Sequence, residues 1–340
     1  MQNIIKKLSE KIDLTQDESH YGVEQIITGE ISPAQTAAFL VGLKLKGETI
    51  DEIVGAAEAV RDRANKVELD HEIIFDNCGT GGDGANTFNI STAAAFVVAA
   101  CGITVAKHGN RSVSSKCGSA DVLEYLGANL NLTNKQVTEC IDTTGIGFLF
   151  APNFHPAMKN VAPVRRELGI RTIFNLLGPL TNPANASHQL IGVFSESYIE
   201  KIATVAMRLG IKNIMVVHNE SGIDEITTTD VNRIIYTENH SLKHLSVMPN
   251  DYGFKTCSMD EIKGGNVEDN AKIIKMIFNG HDGPKKDTVI LSAAVSLVVA
   301  ERVRNIDEGI AMAHECIDSG AAMNKLEAFI NFTRKYDSAR

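Results

Sequence analysis

The sequence predicts an α/β protein: a small N-terminal helical domain, residues 1–66, followed by a larger domain, 67–340, on a mostly parallel central sheet. Three observations carry that expectation. Capping-box signatures recur before residue 66; from about Val67 apolar runs alternate with glycine-rich turns and helical stretches; and long apolar helices close the chain.

The opening MQNIIKKLSEKIDL reads as an amphipathic helix, broken by charges too often to be a signal peptide. Thr15-x-x-Glu18, Ser32-x-x-Gln35 and Thr49-x-x-Glu52 then start three short helices, because hydroxyl and Glu or Gln satisfy each other's orphan backbone N–H groups. Pro33 suits a first helical position, and Gly29 and Gly47 stand where left-handed stops are expected. Beyond Val67, EIIFD and ITVA read as strands, STAAAFVVAACG and SADVLEYLGA as the helices that follow them. GFLFAP, QLIGVFS and NIMVVHN are further strands. A Pro-punctuated helical segment near 155–180 joins the helical domain, and VILSAAVSLVVAERV and EGIAMAHECIDSG form largely buried helices.

Composition removes several function classes. Asp and Glu outnumber Lys and Arg by 42 to 33, the wrong sign for a surface that collects nucleic acid. No stretch is long and apolar enough to span a membrane. The six cysteines are scattered without a C-x-x-C pair, as suits reduced thiols in a cytoplasm, and offer no structural zinc site.

The hexapeptide GTGGDG satisfies G-x-G-x-x-G through Gly79, Gly81 and Gly84. A glycine-rich turn between a strand and a helix exposes N–H groups at the positive end of the helix dipole, where phosphate oxygens bind. A dinucleotide site also needs an acidic residue at the end of the second strand to bind ribose hydroxyls. Lys107 and His108 stand there instead, and they ask for phosphate. The Walker pattern fails as well, since no Lys-Ser or Lys-Thr follows the last glycine. Asn89, Ser91 and Thr92 begin the next helix; Ser91 either caps it or faces a ligand, and both readings stay open.

A second loop, KHGNRSVSSKCGSADVLEYLG, brings cations and hydroxyls to the same carboxyl edge of the sheet. Two such loops together describe a site for a ligand with several phosphates. Asp224 and Glu225, adjacent after NIMVVHN, supply the oxygen ligands magnesium prefers when it shares substrate phosphates. Arg165, four residues after Val161 in VAPVRRELG, offers a bidentate fork to a carboxylate, whereas Arg166 reads as solvated.

In that order, DNCGTGGDGANTFNIST, KHGNRSVSSKCGSADVLEYLG, GIGFLFAPNFHPAMKNVAPVRRELGIRTIFNLLGPLTNPA and SGIDEI closely resemble the anthranilate phosphoribosyltransferase family over nearly the full chain. The resemblance implies the nucleoside phosphorylase/phosphoribosyltransferase type of fold and a homodimer formed through the helical domain, while charge, hydropathy and cysteine usage point to a cytoplasmic protein with no nucleic-acid or membrane partner. It implies transfer of phosphoribosyl from phosphoribosyl pyrophosphate to the amino group of anthranilate, toward tryptophan. Carried over by position, Gly79, Gly82, Asp83, Thr87, Asn89, Ile90, Ser91 and Thr92 would bind the diphosphate substrate. Lys107, His108, Gly109, Asn110, Arg111, Ser112, Val113, Ser114, Ser115 and Ser119 would join them. Ser91, Asp224 and Glu225 would hold Mg2+, two ions in all. Anthranilate would meet Gly79, Asn110 and Arg165, and the catalytic weight would fall on Lys107 and Arg165.

Two other readings compete. A pyrimidine nucleoside phosphorylase shares the architecture and a related glycine loop, but needs no magnesium pair. A non-catalytic nucleic-acid-binding paralogue would carry a basic surface and eroded metal ligands. The chain departs from the family pattern at Cys78, at Cys117 where Ser is commoner, at SGIDE for GLDE and at SAA, 292–294, for NAA.

Overall fold

The computed structural model describes residues 1–112, 116–238 and 241–337. Four helices come first: α1 (Gln2–Ser9), α2 (Gln16–Thr28), α3 (Pro33–Lys46) and α4 (Ile50–Asp62). Thr15, Ser32 and Thr49 each close a complete capping box, and Pro33 opens α3. Gly29 ends α2 in the left-handed conformation at φ 80°. Gly47 does not: with φ 88° and ψ 123° it turns the chain into the extended entry of α4 instead of closing a helical stop.

The larger part runs β1 (Phe75–Gly79), α5 (Ile90–Ala100), β2 (Val105–Gly109), α6 (Ser119–Tyr125), α7 (Asn134–Thr144) and β3 (Ile146–Phe150). It continues through α8 (Ala151–Phe154), α9 (Ala162–Leu168), α10 (Phe174–Leu180), β4 (His188–Gly192), α11 (Ile199–Arg208) and β5 (Asn213–Asn219). A hairpin of β6 (Asn232–Glu238) and β7 (Ser241–Val247) follows, then α12 (Val267–Phe278), α13 (Pro284–Val299), α14 (Ile306–Asp318) and α15 (Ala321–Arg334).

The sheet order is β3-β2-β1-β4-β5-β6-β7, parallel from β3 to β5 and antiparallel across the hairpin. Strand order reverses direction between β1 and β4, so the connections that leave their paired carboxyl ends run to opposite faces of the sheet and frame the crevice in which open α/β sheets bind ligands. One face carries α5, α13 and the C-terminal helices around Phe96, Phe278 and Phe329. On the other, α10 and α11 share one apolar cluster with α1–α4, in which Phe39, Leu40 and Leu43 are fully buried. Each such side chain contributes about 1.5–3 kcal/mol. Arg61 of α4 adds a polar tie, donating to the Leu180 carbonyl at 2.7 Å and the Leu209 carbonyl at 3.0 Å.

Some elements differ from the sequence reading. EIIFD is strand only from Phe75, and the strand runs on to Gly79. Lys107 and His108 lie inside β2, not in a loop, because pairing with Phe148 and Leu149 of β3 carries the strand to Gly109. The β6–β7 hairpin has no counterpart in the expected elements. α13 is buried nearly all round, but α14 is an outer helix that buries only a stripe, Ile306, Gly309, Ala313 and Ile317. Among the described residues, no helix is long and apolar enough to cross a membrane.

Candidate active site

The loop after β1 keeps three glycines in the left-handed region, Gly81 at φ 67°, Gly82 at 75° and Gly84 at 77°. Side chains avoid that region, so the sharp turn requires glycine there. Gly79 serves another purpose: a Cβ on it would stand 2.5 Å from Asp224 Oδ2. The loop is fastened on both flanks. Thr80 donates its N–H to the Gly192 carbonyl at 2.9 Å, and Arg171 donates to the Gly82 carbonyl while its guanidinium lies 4.3 Å over the Phe194 ring. Thr87 bridges to Lys263, and the Phe88 N–H reaches the Ile262 carbonyl at 3.1 Å.

Helix α5 then begins at Ile90, with Asn89 at its cap position and Ser91 second in the helix. Ser91 is therefore no cap. Its backbone N–H donates to Glu225 Oε1 at 3.3 Å. Asn89 does not cap either, since its amide joins the two loops: Nδ2 donates to the Cys117 carbonyl at 3.3 Å, and the Cys117 thiol donates to its Oδ1 at 3.3 Å. Burial pushes the Cys117 thiol up to about 12, so Cys117 acts as a neutral hydroxyl-like donor. The Thr92 hydroxyl is buried without a hydrogen-bond partner among the described residues.

On β2, the buried Lys107 ammonium donates to the Asn77 carbonyl at 2.6 Å and to Asn77 Oδ1 at 3.1 Å. Asp76, fully buried, accepts the His108 N–H at 3.1 Å and Asn182 Nδ2 at 2.8 Å. Burial lifts its carboxyl to about 6 against the opposing pull of Lys107. His108 Nδ1 sits 3.1 Å from the Gly178 carbonyl, which makes Nδ1 the protonated nitrogen, and Nε2 is left buried without a partner among the described residues. The ring of His155, just after α8, stands 5.2 Å from that of His108. Burial drives His108 down to about 3 and His155 to about 4, so both are neutral at pH 7.

Beyond Gly109 the second loop is organised by Asp121, whose Oδ2 accepts the N–H groups of Ser112 at 3.0 Å and Gly118 at 2.9 Å. Arg111 pairs with Asp121 at 3.1 Å and Glu124 at 2.5 Å, 5.3 Å above the Phe150 ring. The Ser119 hydroxyl donates to the Asn110 carbonyl at 3.3 Å. Val113, Ser114 and Ser115 lie outside the described residues.

The acidic pair closes over the glycine loop from β5. Asp224 accepts the Gly81 N–H at 2.5 Å, and its own carbonyl packs so tightly on Gly192 that a Cβ there would overlap it. Burial first, then Asp83 and Glu225, raise the Asp224 carboxyl well above its usual range. Burial likewise raises Glu225, opposed by Lys107 and Ser91. Among the described residues no three acidic, His or Cys side chains form a ready-made cage. Crowded carboxylates beside a phosphate loop fit magnesium, which takes one or two of them plus phosphate oxygens.

Arg165 of α9 is the remaining cation. Its guanidinium lies 5.6 Å over the Phe174 ring, burial lowers its pKa, and no side-chain hydrogen bond or ion pair joins that guanidinium to the described residues. Planar, bidentate donors of this kind suit carboxylates. Arg166, next to it, is exposed. His155 and Arg171 escaped the sequence reading, although both sit in the Pro-punctuated segment that it singled out.

Known proteins match the chain over nearly its full length. Residues 71–323 match the glycosyl transferase family a/b domain, and residues 2–64 its helical bundle domain. The chain is 50% identical over 338 residues to the anthranilate phosphoribosyltransferase of Acetivibrio thermocellus, covering 99% of this chain and 98% of that one. The crystal structure of the Thermus thermophilus enzyme superposes with a TM-score of 0.92 at 41% identity, over 97% of this chain and 99% of that one. That of the Saccharomyces cerevisiae enzyme in complex with PRPP and Mg gives 0.91 at 27% identity, over 98% of each.

Proposed function

The chain belongs to the anthranilate phosphoribosyltransferases, within the glycosyl transferase family, and from that premise we propose how its own residues carry the reaction. It transfers the phosphoribosyl group of phosphoribosyl pyrophosphate to the amino group of anthranilate, giving N-(5-phosphoribosyl)anthranilate and pyrophosphate in tryptophan biosynthesis. One observation carries the reading at residue level. The glycine loop, Lys107 and the Asp224–Glu225 pair converge at the β1–β4 switch point, and the 151–180 connection supplies Arg165, whose guanidinium stacks on Phe174 and has no hydrogen-bond or ion-pair partner among the described residues.

The anomeric C–O bond breaks, a C–N bond forms, and the amine proton leaves. Positive charge grows on the ribose ring and negative charge on the departing pyrophosphate. Loop amides, the start of α5 and the Lys107 ammonium stabilise that leaving group in a site where Lys107 is already dry. The residues Gly79, Gly82, Asp83, Thr87, Asn89–Thr92, Lys107–Ser115 and Ser119 bind the diphosphate substrate in this reading. Arg165 clamps the anthranilate carboxylate beside Gly79 and Asn110, which aims the amine at the ring and supplies effective molarity. An aromatic amine becomes acidic once the C–N bond forms, so no strong base is needed. The neutral His108 and His155 are consistent with that.

Ser91, Asp224 and Glu225 hold magnesium, which when bound neutralises the diphosphate charge. Two ions are proposed here, because Asp83, Asp224 and Glu225 crowd three mutually repelling carboxylates at the mouth of the glycine loop. The helical domain exposes the large apolar side chains of Ile12, Tyr21 and Leu45, which supports a homodimer through that domain, and six free thiols suit a cytoplasmic setting.

The test is direct. Purified protein with phosphoribosyl pyrophosphate, Mg2+ and anthranilate is expected to extinguish anthranilate fluorescence. Folded protein that causes no loss above background overturns the reading.

A further inference from the structure

Asn77 is a polar residue where a core residue would be expected. It lies in the middle of β1, 1% exposed, opposite Leu190 of β4 and two positions along the strand from Phe75, which belongs to the main apolar cluster. Burying an amide there is costly unless its hydrogen bonds are made. They are made to two residues of the phosphate site. Oδ1 accepts the Lys107 ammonium at 3.1 Å, and Nδ2 donates to the Ser91 carbonyl at 2.8 Å. The Asn77 carbonyl takes a second Lys107 proton at 2.6 Å.

The neutrality of these acceptors matters. Asp76 and Glu225 both feel the Lys107 charge. A buried ammonium lacking neutral partners would pair with one of them, cancelling its own charge and occupying a carboxylate. Held by an amide, the ammonium keeps its charge, and the same side chain fixes its position relative to the start of α5.

We propose that Asn77 is a positioning residue for the transfer reaction: it holds the Lys107 ammonium in register with Ser91 and away from Glu225, so that the lysine meets the diphosphate substrate in place. This rests on the reading given under Proposed function.

Two variants separate the role from mere packing. Asn77→Leu keeps volume and loses both side-chain hydrogen bonds; Asn77→Asp keeps the shape, adds the charge that neutralises Lys107 and loses the donor to Ser91. For Asn77→Leu the KM for phosphoribosyl pyrophosphate is expected to rise about tenfold, and for Asn77→Asp further, with the KM for anthranilate within about twofold of wild type. In a Lys107→Ala background, Asn77→Leu is expected to add little, since both changes remove one interaction. Equal rises in both KM values, wild-type values in both variants, or full additivity with Lys107→Ala overturns the role. Should Asn77→Leu fail to fold, the isosteric Asp variant carries the test. Calorimetric titration with magnesium pyrophosphate reads the same coupling without turnover. A wild-type protein that binds pyrophosphate but consumes no anthranilate defeats the functional reading alone, and loss of the coupling in that titration defeats the Asn77 role alone.

Discussion

The Gly81 N–H donates to Asp224 Oδ2 at 2.5 Å across 143 residues of sequence, and Gly79 leaves the space that lets the carboxylate in. The phosphate loop and the acidic loop are thus a single unit. Gly79 has no positive φ, so alanine fits the backbone and only the contact changes. Gly79→Ala is expected to displace Asp224 and lower kcat/KM about 100-fold or more, the scale of an ångström-sized misplacement. A variant with wild-type turnover and an unchanged thermal midpoint would show that this close approach is dispensable.

Arg165 rests on Phe174 with its fork unclaimed by the described residues, so shape matters there as much as charge. Arg165→Lys keeps the cation but loses the planar, bidentate face. Its KM for anthranilate is expected to rise about tenfold with that for phosphoribosyl pyrophosphate nearly unchanged. Equal effects on the two substrates would remove Arg165 from the anthranilate subsite.

These two predictions differ in how far the sequence alone supports them. The glycine loop and the second loop were legible because each motif is local, strand, turn and helix following one another within about 20 residues, and the Asp224–Glu225 pair because its two carboxylates are adjacent in the chain. Placement of Arg165 was half legible, through its spacing from Val161. Asn77 was not legible at all, because its partners Lys107 and Ser91 lie on two other elements and only the sheet brings them together. The β6–β7 hairpin was missed for a related reason. Its outer strand is mostly solvent-facing and lacks the apolar run that marked the buried parallel strands.

His155 has a folded pKa of about 4, well below that of a free histidine. Between those values the unfolded chain binds a proton that the folded chain refuses, so this group contributes stability above about pH 6.5 and loses it as pH falls toward 4. Its share of the loss between pH 7 and pH 5 is about 2 kcal/mol. His155→Gln is therefore expected to reduce the difference between urea midpoints at pH 7 and pH 5. Asp76, Asp224 and Glu225 oppose this trend, since their raised values favour the acid side. His108, lowered partly by His155, follows the same trend, so the variant-minus-wild-type comparison reads His155 together with its effect on His108, and identical pH profiles would contradict the burial of His155 as a neutral group.

Cys101, at the end of α5, and Cys316, in α14, hold their sulfurs 2.9 Å apart. Cys101 is buried and Cys316 only partly so, which makes Cys316 the thiol that a disulfide reagent reaches first. With oxidised glutathione, Cys316 is expected to form a mixed disulfide that Cys101 resolves, releasing two reduced glutathiones. Thiol titration should then lose two of the six cysteines, and the thermal midpoint should rise because a long loop is closed. Cys316→Ser should show neither change. A wild-type protein that keeps six titratable thiols after treatment would refute the pairing.

Asp224 and Glu225 give the last prediction. Burial and the neighbouring Asp83 penalise charge on Asp224, and burial penalises it on Glu225, so without a cation the pair is an electrostatic burden on the fold. Asp224→Asn with Glu225→Gln removes that burden and still offers an amide oxygen to the Gly81 N–H. The metal-free variant is therefore expected to melt at or above the wild-type temperature, whereas the rise in melting temperature that magnesium confers on wild type should vanish. In turnover, half-saturation with Mg2+ should move up about tenfold or more. The two readouts are independent, because melting reports the ion on the free protein and turnover reports it with the diphosphate present. A magnesium titration that coincides with wild type in both would mean that the ion sits elsewhere, and that this buried acidic pair serves only to hold the glycine loop.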